Sequence, residues 1–260
     1  MRPRLPEDMT PARLYKYRSL KKGMDRKYTL RALTQNQIYF AVFDEFNDPY
    51  DCHFRVEATA ERDVARIQLR KLNLAMTDPE LEDLVTKELS PDSVKQKEST
   101  MLAKIESINR NVGIFSMSAR PDDLLMWSHY GDGHRGVCLV FTTADDKLFG
   151  CTLEQVRYQK EYPVFNAYEE VNRDYTRRYL TTKSDHWNYE EEWRILYYDN
   201  HGPRQFPAHE LSGVIFGAKV SPADRKTLLG IIQKRNSHTT HYEARINSKR
   251  FGLDIVQLEY

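Results

Sequence analysis

The spacing of hydrophobic and polar residues changes several times along the chain, and each change predicts a different kind of element. Alternation with a period of two is typical of a strand with one buried face, and it occurs at residues 14–19, 37–42 and 113–118. The continuous apolar run from Val137 to Phe141 predicts a strand buried on both faces. Shorter runs predict further strands at residues 156–158, 183–198, 214–216, 241–246 and 253–258.

The region from about residue 57 to 111 has a different pattern, because it is highly charged and contains no glycine. Asp78-Pro79 and Ser90-Pro91 each place a capping side chain just before a proline that suits the first helical turn. Met101 and Ile105 recur at helical spacing. We therefore predict two or three helices that form an insert between two strand-rich parts, with the charges on a solvated helix face.

Four shorter patterns predict additional helices. They cover residues 30–33, the segment from Pro121 to Tyr130, the stretch after Phe165 up to Leu180, and the segment opened by Ser221-Pro222 and Asp224. No internal repeat or linker interrupts this succession. The pattern predicts one α+β domain over residues 1–260, with the helical insert at about 57–111.

The balance of charges argues against a general attraction of the protein surface for polyanions. The chain of 260 residues carries 39 Lys and Arg against 38 Asp and Glu, a formal net charge of +1. Such a chain has no overall electrostatic attraction for nucleic acid or for an anionic membrane, although a local basic patch remains open.

The cysteines and the N-terminal sequence indicate a soluble protein of the cytoplasm. Cys52, Cys138 and Cys151 are odd in number and show no CxxC spacing, which predicts reduced thiols instead of disulfides or a zinc site. The first twenty residues contain no apolar core of a signal peptide. No run approaches the ~18 apolar residues of a membrane span.

The loop at residues 43–51, FDEFNDPYD, carries a dense set of turn-forming residues. Asp48 before Pro49 indicates a well-made turn, since its carboxylate can bond the local backbone. For Asn47 and Asp51, two interpretations remain: they are turn residues, or they line a polar binding site.

The segment LLMWSHYGDGHRGVCLVF, residues 124–141, gathers aromatic and imidazole side chains around glycines. A metal site from His129, Asp132 and His134 is a minor hypothesis, because the spacing is not that of a compact site and no fourth ligand follows. The glycines do not have the GxGxxG spacing of a dinucleotide loop. Cys138, inside the buried strand, is interpreted as a small apolar residue and not as a nucleophile.

Polar side chains at the ends of several predicted strands form a distributed set of candidate site residues. On the strand predicted at 183–198, Glu190, Glu192 and Arg194 share one face by period two. Taken singly, each candidate has a structural interpretation. The set consists of Tyr17, Arg18, Ser116, Ser118, His129, Tyr130, Glu190 and Glu192.

Five blocks of the chain resemble the signature blocks of a bacterial family of unknown function, and they extend over residues 14–217. They are LYKYRS, FNDPYD, FSMS, LLMWSHYGDGHRGVCL and YEEEWRI. The chain also resembles, more loosely, the ADP-ribosyltransferase fold. One branch of that fold has an arginine on its first strand, then a serine-rich strand, then a late Glu-x-Glu strand. Arg18, Ser116 with Ser118, and Glu190 with Glu192 occur in that order, although FSMS departs from the usual Ser-Thr-Ser and the helical insert is long.

The looser resemblance implies mixed or antiparallel sheets around a central cleft, and NAD as the substrate without a metal. Glu192 would then hold the ribose, Glu190 would orient the nucleophile, and His129 and Tyr130 would complete the catalytic set. Arg18 would bind the pyrophosphate, and Tyr130, Tyr39 or Trp127 would stack on nicotinamide. Tyr17, Asn47, Ser116 and Ser118 are the remaining candidate nucleotide-binding residues.

Two functions from different classes follow from these expectations. The first is an ADP-ribosyltransferase or NAD glycohydrolase, as a toxin or phage-defence effector, with the acceptor left open among a protein, a nucleic acid, a small molecule and water. The alternative is a non-catalytic nucleotide- or peptide-binding module of a bacterial defence or stress system. Fold-level analogy is only an associational argument, so a cleft that brings the named residues together is the required observation.

Overall fold

The computed structural model describes residues 10–58, 61–72, 75–144, 147–168, 171–198, 200–235 and 239–259. The strands in these ranges are β1 (Arg13–Arg18), β2 (Gln37–Phe40), β3 (Arg55–Glu57), β4 (Gly113–Ser118), β5 (Val137–Thr142), β6 (Lys147–Leu148), β7 (Cys151–Gln155), β8 (Arg157–Gln159), β9 (Val164–Asn166), β10 (Thr182–Ser184), β11 (Glu192–Tyr197), β12 (Gly202–Gln205), β13 (Leu211–Phe216), β14 (Thr240–Ile246) and β15 (Leu253–Gln257). The α helices are α1 (Met24–Gln35), α2 (Arg62–Leu72), α3 (Asp78–Glu88), α4 (Pro91–Asn109), α5 (Leu124–His129), α6 (Arg173–Leu180) and α7 (Pro222–Arg235). Short 3₁₀ helices occur at Phe43–Glu45, Asp185–Glu190 and Ala208–Glu210.

A mixed sheet of nine strands forms the centre of the fold, in the order β15-β14-β13-β5-β1-β4-β11-β7-β6. Neighbouring strands run antiparallel except β13 and β14, which are parallel. Three smaller pairs, β10-β8, β12-β2 and β3-β9, surround it. The prediction of an α+β protein with a mixed sheet is confirmed, and the central cleft stays a prediction.

One face of the sheet is packed against α1 and α7. Side chains alternate between the two faces of each strand, and on this face they include Phe115, Phe141 and Ile195, all buried. Leu33 of α1 and Leu228 of α7 belong to the same apolar cluster. The strand at residues 137–142 is buried on both faces, as its continuous apolar sequence predicts.

The opposite face of the sheet is covered in two places. Trp127 of α5 packs beside Cys138 of β5, and Ile105 of α4 packs with Ile114 and Leu196. Both contacts are apolar. The polar residues of β11 that point to this face lie near the second of these contacts.

The region of the predicted helical insert contains three helices, α2, α3 and α4. Helix α4 packs on the sheet, whereas α2 and α3 share a separate small cluster of Ala65, Leu81 and Val85. The cap of α3 differs from the prediction: Thr77, not Asp78, is its N-cap, and the Glu80 carboxylate accepts the Thr77 backbone N–H at 2.8 Å. Ser90 caps α4 as predicted.

Several element boundaries differ from the sequence-based prediction. The helix predicted to begin at Pro121 begins at Leu124, because the Asp123 carboxylate accepts the N–H groups of the next turn. The helix predicted after Phe165 begins only at Arg173, after strand β9. The short helix predicted at 30–33 lies in the C-terminal half of the longer α1.

The strand predicted at 183–198 is wrong in its first half. Residues 185–190 form a 3₁₀ helix, and Glu191 then takes a left-handed conformation with φ of 43° before β11 begins at Glu192. This reversal turns the chain back on itself. It therefore decides which side chains meet Glu192.

Within the described ranges, no helix is long and apolar enough to cross a membrane. The three cysteines are free, and Cys52 and Cys138 are buried. Residues 1–9, on which part of the N-terminal expectation depends, lie outside the described residues.

Candidate functional site

A buried group of charged side chains lies where β11 begins, and it contains two cations and three carboxylates. Its largest exposed fraction is 7 %, at Lys183. We call it the ionic cluster. Its members are Asp51, Lys183, Glu190, Glu192 and Arg194.

Arg194 is the centre of the cluster and is completely buried. Its Nε donates to Glu192 Oε1 at 2.8 Å, and its Nη2 donates to Asp51 Oδ2 at 2.7 Å and Oδ1 at 2.9 Å. Its Nη1 donates to the carbonyl of Leu180 at 2.7 Å and to Cys52 Sγ at 3.3 Å. Every guanidinium nitrogen thus has a partner, which a buried charge requires.

Lys183 links the three carboxylates from the opposite side. Its Nζ donates to Glu190 Oε2 at 2.6 Å and to Glu192 Oε2 at 3.1 Å, and lies 3.4 Å from Asp51 Oδ2. Burial lowers the pKa of Lys183, but the carboxylates outweigh burial and raise this pKa well above its usual range. The ammonium group therefore stays charged where three carboxylates converge.

The two glutamates of the cluster respond to the same surroundings in opposite ways. Burial raises the pKa of Glu192, but Arg194 and Lys183 prevail and hold it well below its usual range. Burial, followed by the charge of Glu192, raises the pKa of Glu190 to about 7. The surroundings therefore favour the ionised form of Glu192 and shift Glu190 toward its protonated form.

Glu190 is the carboxylate that faces the edge of the cluster. Tyr130, which is partly exposed, donates its hydroxyl to Glu190 Oε1 at 2.8 Å. The exposed Asn47 lies at 3.5 Å from the same hydroxyl through its Nδ2. The ring of Trp187 lies 5.1 Å from Lys183 Nζ and 6.3 Å from the exposed ring of His129. Two predicted catalytic residues, Tyr130 and Glu190, are therefore in direct contact.

Both predicted serines lie beside the cluster, but their contacts differ. Ser116 lies opposite Arg194 in the pairing of β4 and β11, and its side chain helps to lower the pKa of Glu192. Ser118 is completely buried, donates to the backbone carbonyl of Glu190 at 2.6 Å and accepts the N–H of Arg120 at 2.9 Å. Ser118 therefore fixes the position of Glu190 through its backbone.

Two of the predicted nucleotide-binding aromatics belong to the core. Trp127 is completely buried, and its indole N–H donates to the carbonyl of Pro121 at 2.9 Å. Tyr17 packs edge-on against it at 5.1 Å and donates its hydroxyl to the carbonyl of Arg120. Neither ring is available to stack on a ligand in this arrangement.

Arg18 and Tyr39 lie away from the ionic cluster, around Tyr28. Tyr39 packs on Tyr28 at 4.9 Å and donates its hydroxyl to Glu45 at 2.9 Å. Burial lowers the pKa of Arg18 to about 10, with an opposing contribution from Asp25 and then Tyr28. Its Nε and Nη2 are buried and have no hydrogen-bond partner among the described residues.

Four charged groups near Glu192 were not among the predicted site residues: Lys16, Asp51, Lys183 and Arg194. Lys16 lies where β1 and β4 separate after their single described pair, Tyr15 and Ser118, and its Nζ donates to the carbonyl of Ser116 at 2.6 Å. Burial, followed by the nearby charge of Arg18, lowers the pKa of Lys16 to about 7. No motif in the sequence indicates Lys16 or Lys183, whereas Asp51 was one of the two open residues in the turn.

The turn before the cluster agrees with the sequence. Asp48 Oδ1 accepts the N–H of Tyr50 at 2.9 Å, which confirms its assignment as a turn residue. Asp51 directly follows Tyr50, and this turn places its carboxylate in the ionic cluster. The metal hypothesis for His129, Asp132 and His134 is not supported, because the described residues contain no group of three His, Cys, Asp or Glu side chains able to hold an ion.

Comparison with known proteins gives a match over part of the chain. No curated protein and no solved structure matches it significantly. The matched part begins in α5 and ends in β11, so it contains Tyr130 and four of the five members of the ionic cluster. Residues 126–195 match the family described as "Protein of unknown function (DUF2971)", and this match confirms the predicted resemblance to a family of unknown function.

Proposed function

We propose that the protein is an enzyme that breaks the bond between nicotinamide and ribose in NAD, with Glu190 as the reacting carboxylate. The observation that carries this proposal is the state of Glu190. It has a pKa of about 7, one oxygen on Lys183, and the other oxygen on the partly exposed hydroxyl of Tyr130.

The proposal assigns different roles to the two glutamates than the resemblance implies. Both oxygens of Glu192 already accept hydrogen bonds from Arg194 and Lys183. A ribose hydroxyl would have to displace a buried charge–charge contact to reach them. We therefore assign Glu192 to holding the two cations, and Glu190 to the ribose.

The chemistry of the reaction suits an ionisable carboxylate with a pKa near neutrality. The bond from ribose C1′ to nicotinamide breaks, its electron pair leaves with nicotinamide, and positive charge develops on the ribose. Ionised Glu190 stabilises that charge. It then accepts the proton of the water or acceptor hydroxyl that forms the new bond at C1′. Tyr130 orients Glu190, and Trp187 and His129 supply aromatic surface beside it.

Two further features support a nucleotide substrate. The buried Nε and Nη2 of Arg18 lack a partner among the described residues, and pyrophosphate oxygens would supply one if they reached these atoms. The order of Arg18, the two serines and the two glutamates along the chain resembles that of ADP-ribosyltransferases. The proposal includes a central cleft at Glu190, and a nucleotide bound there would have to extend to Arg18, which lies away from the ionic cluster. Depletion of cellular NAD would account for a toxin or phage-defence role.

The test is incubation of the purified chain with NAD, followed by chromatography of nicotinamide and by calorimetry of NAD binding. We expect release by the wild type and a loss of at least about 100-fold in Glu190→Gln, the scale of removing a general base. Glu161→Gln, the same change at an exposed position, is the control. Absence of both release and binding in the wild type would contradict the proposal.

A second candidate, a nucleotide-binding module without turnover, is favoured by the completeness of the ionic cluster. Its charged groups all have partners within the cluster, so they need no ligand for charge compensation. In that case NAD binds to the wild type and to Glu190→Gln, and neither releases nicotinamide.

A further inference from the structure

A cavity of about 560 Å³ lies beside the hairpin of β14 and β15, toward the opposite edge of the sheet from the ionic cluster. We call it the hairpin pocket. Its lining includes Leu124, Lys219, Ile246, Lys249 and Arg250, together with Phe251 at the tip of the hairpin. Its volume is in the range of pockets that bind small ligands or parts of larger ones.

The charge of this pocket is entirely of one sign. Lys219, Lys249 and Arg250 contribute cations, and none of the described residues that line the pocket is acidic. Among the described residues, Lys219 and Lys249 have no carboxylate within ion-pair distance, and Arg250 has only Asp254 at 3.8 Å. The chain as a whole is nearly neutral. The hairpin pocket is therefore a local basic patch, the kind of surface that the charge balance left open.

Aromatic and aliphatic side chains are exposed beside these cations. Phe251 is 101 % exposed and Ile246 is 71 % exposed. The turn that carries Phe251 is held by Asn247, whose Oδ1 accepts the N–H groups of Lys249 at 2.8 Å and Arg250 at 2.9 Å. A bare aromatic ring is thus presented on an ordered turn, next to two cations.

We propose that the hairpin pocket binds a single strand of nucleic acid. A ring flanked by Lys and Arg is the combination that such strands require, because the ring stacks on a base while the cations contact the phosphates on either side. An anionic membrane would use the charges as well, but it requires a broader apolar face than one hairpin tip and Leu124 present.

The hairpin pocket is independent of the proposed NAD site. Strand β14 and strand β11 are separated by five strand spacings in the sheet order. At about 4.8 Å per spacing, they lie about 24 Å apart across the sheet. Failure of one proposal therefore leaves the other intact, since different residues and different ligands are measured.

The test is fluorescence anisotropy with labelled 12-nucleotide oligo-U and oligo-dT at 50 and 200 mM salt. We expect the wild type to bind either strand and to weaken as salt rises. Phe251→Ala should weaken binding by about 5- to 100-fold, the range for loss of one stacked base. The double change Lys249→Ala with Arg250→Ala should lower the slope of log affinity against log salt by about 1.4, since each phosphate contact on a single strand contributes about 0.7.

The control is Lys104→Ala with Arg110→Ala, two exposed cations of the helical insert region. This variant should bind as the wild type does. All variants should keep their circular dichroism spectrum and their nicotinamide release, because the changed residues are exposed and none of them belongs to the ionic cluster. Three results would overturn the proposal: no binding by the wild type at 100 μM protein, equal weakening by the control, or binding to phosphatidylserine vesicles without binding to either oligonucleotide.

Discussion

Replacement of Glu190 by glutamine tests the electrostatics of the ionic cluster without reference to any substrate. Glutamine has nearly the same volume. Its amide oxygen can accept from Lys183 and its amide N–H can donate to Tyr130, so both contacts of Glu190 are retained. The variant differs chiefly in having no proton to lose.

The magnitude follows from the two pKa values of Glu190. The pKa is about 7 in the folded protein and 4.5 for the ordinary carboxyl. The folded state therefore binds more protons between these values, so wild-type stability falls as the pH rises through this interval. Ionising Glu190 in the folded protein destabilises it by about 1 kcal/mol at pH 5 and about 3 kcal/mol at pH 8. Relative to the wild type, E190Q should gain about 2 kcal/mol between these pH values.

The assay is urea unfolding followed by circular dichroism at pH 5, 6.5 and 8, with Glu161→Gln as the matched control. In thermal unfolding, the same gain corresponds to a relative rise in Tm of about 4–8 °C for a chain of this size. Any constant effect of the substitution cancels, because only the change with pH is compared. A difference between E190Q and wild type that stays the same from pH 5 to pH 8 would refute the inference that Glu190 titrates near neutrality.

Two further pairs of variants test the packing around the cluster. Arg194→Met leaves two buried carboxylates without their guanidinium, so urea unfolding should show a loss of about 3–5 kcal/mol. Arg177→Met removes the two ion pairs of an exposed arginine and should lose less than about 1 kcal/mol. Equal losses in the two variants would contradict the argument. Gly136→Ala places a Cβ at 2.1 Å from the carbonyl oxygen of Arg18 and should destabilise by about 3 kcal/mol. Gly230→Ala in α7, where nothing lies within 4 Å of the added methyl group, should stabilise by about 1 kcal/mol, so equal melting temperatures for the two glycine variants would count against the stated geometry.

Local sequence patterns were sufficient to predict the bounds of an element where its own residues determine them. Strand Gly113–Ser118 has the predicted bounds, because alternation along six residues already separates the two faces of the sheet. Helix α7 begins at Pro222 after Ser221, whose hydroxyl accepts the N–H of Asp224 at 3.0 Å as the capping pattern predicts.

The ionic cluster could be predicted only in part, because it depends on a reversal of the chain. Period two placed Glu190 and Glu192 on one strand face, and the structure brings them together by another route, through the 3₁₀ helix and the left-handed Glu191. The same reversal brings in Lys183. A hydrophobic pattern indicates which residues are buried, but it does not indicate which charged groups meet. For this reason no pattern in the sequence pointed to Lys183 or Lys16 as site residues.

The order of strands also determines what the matched segment, residues 126–195, can do by itself. In the sheet, β5 is hydrogen-bonded to β1 and β13, and both of these strands lie outside the segment. One of the two neighbours of β11, strand β4, lies outside it as well. A fragment cut at these boundaries would expose the edges of two central strands, and exposed strand edges promote aggregation. The boundaries of the family match therefore mark where sequences are alike, and they do not mark an autonomous folding unit.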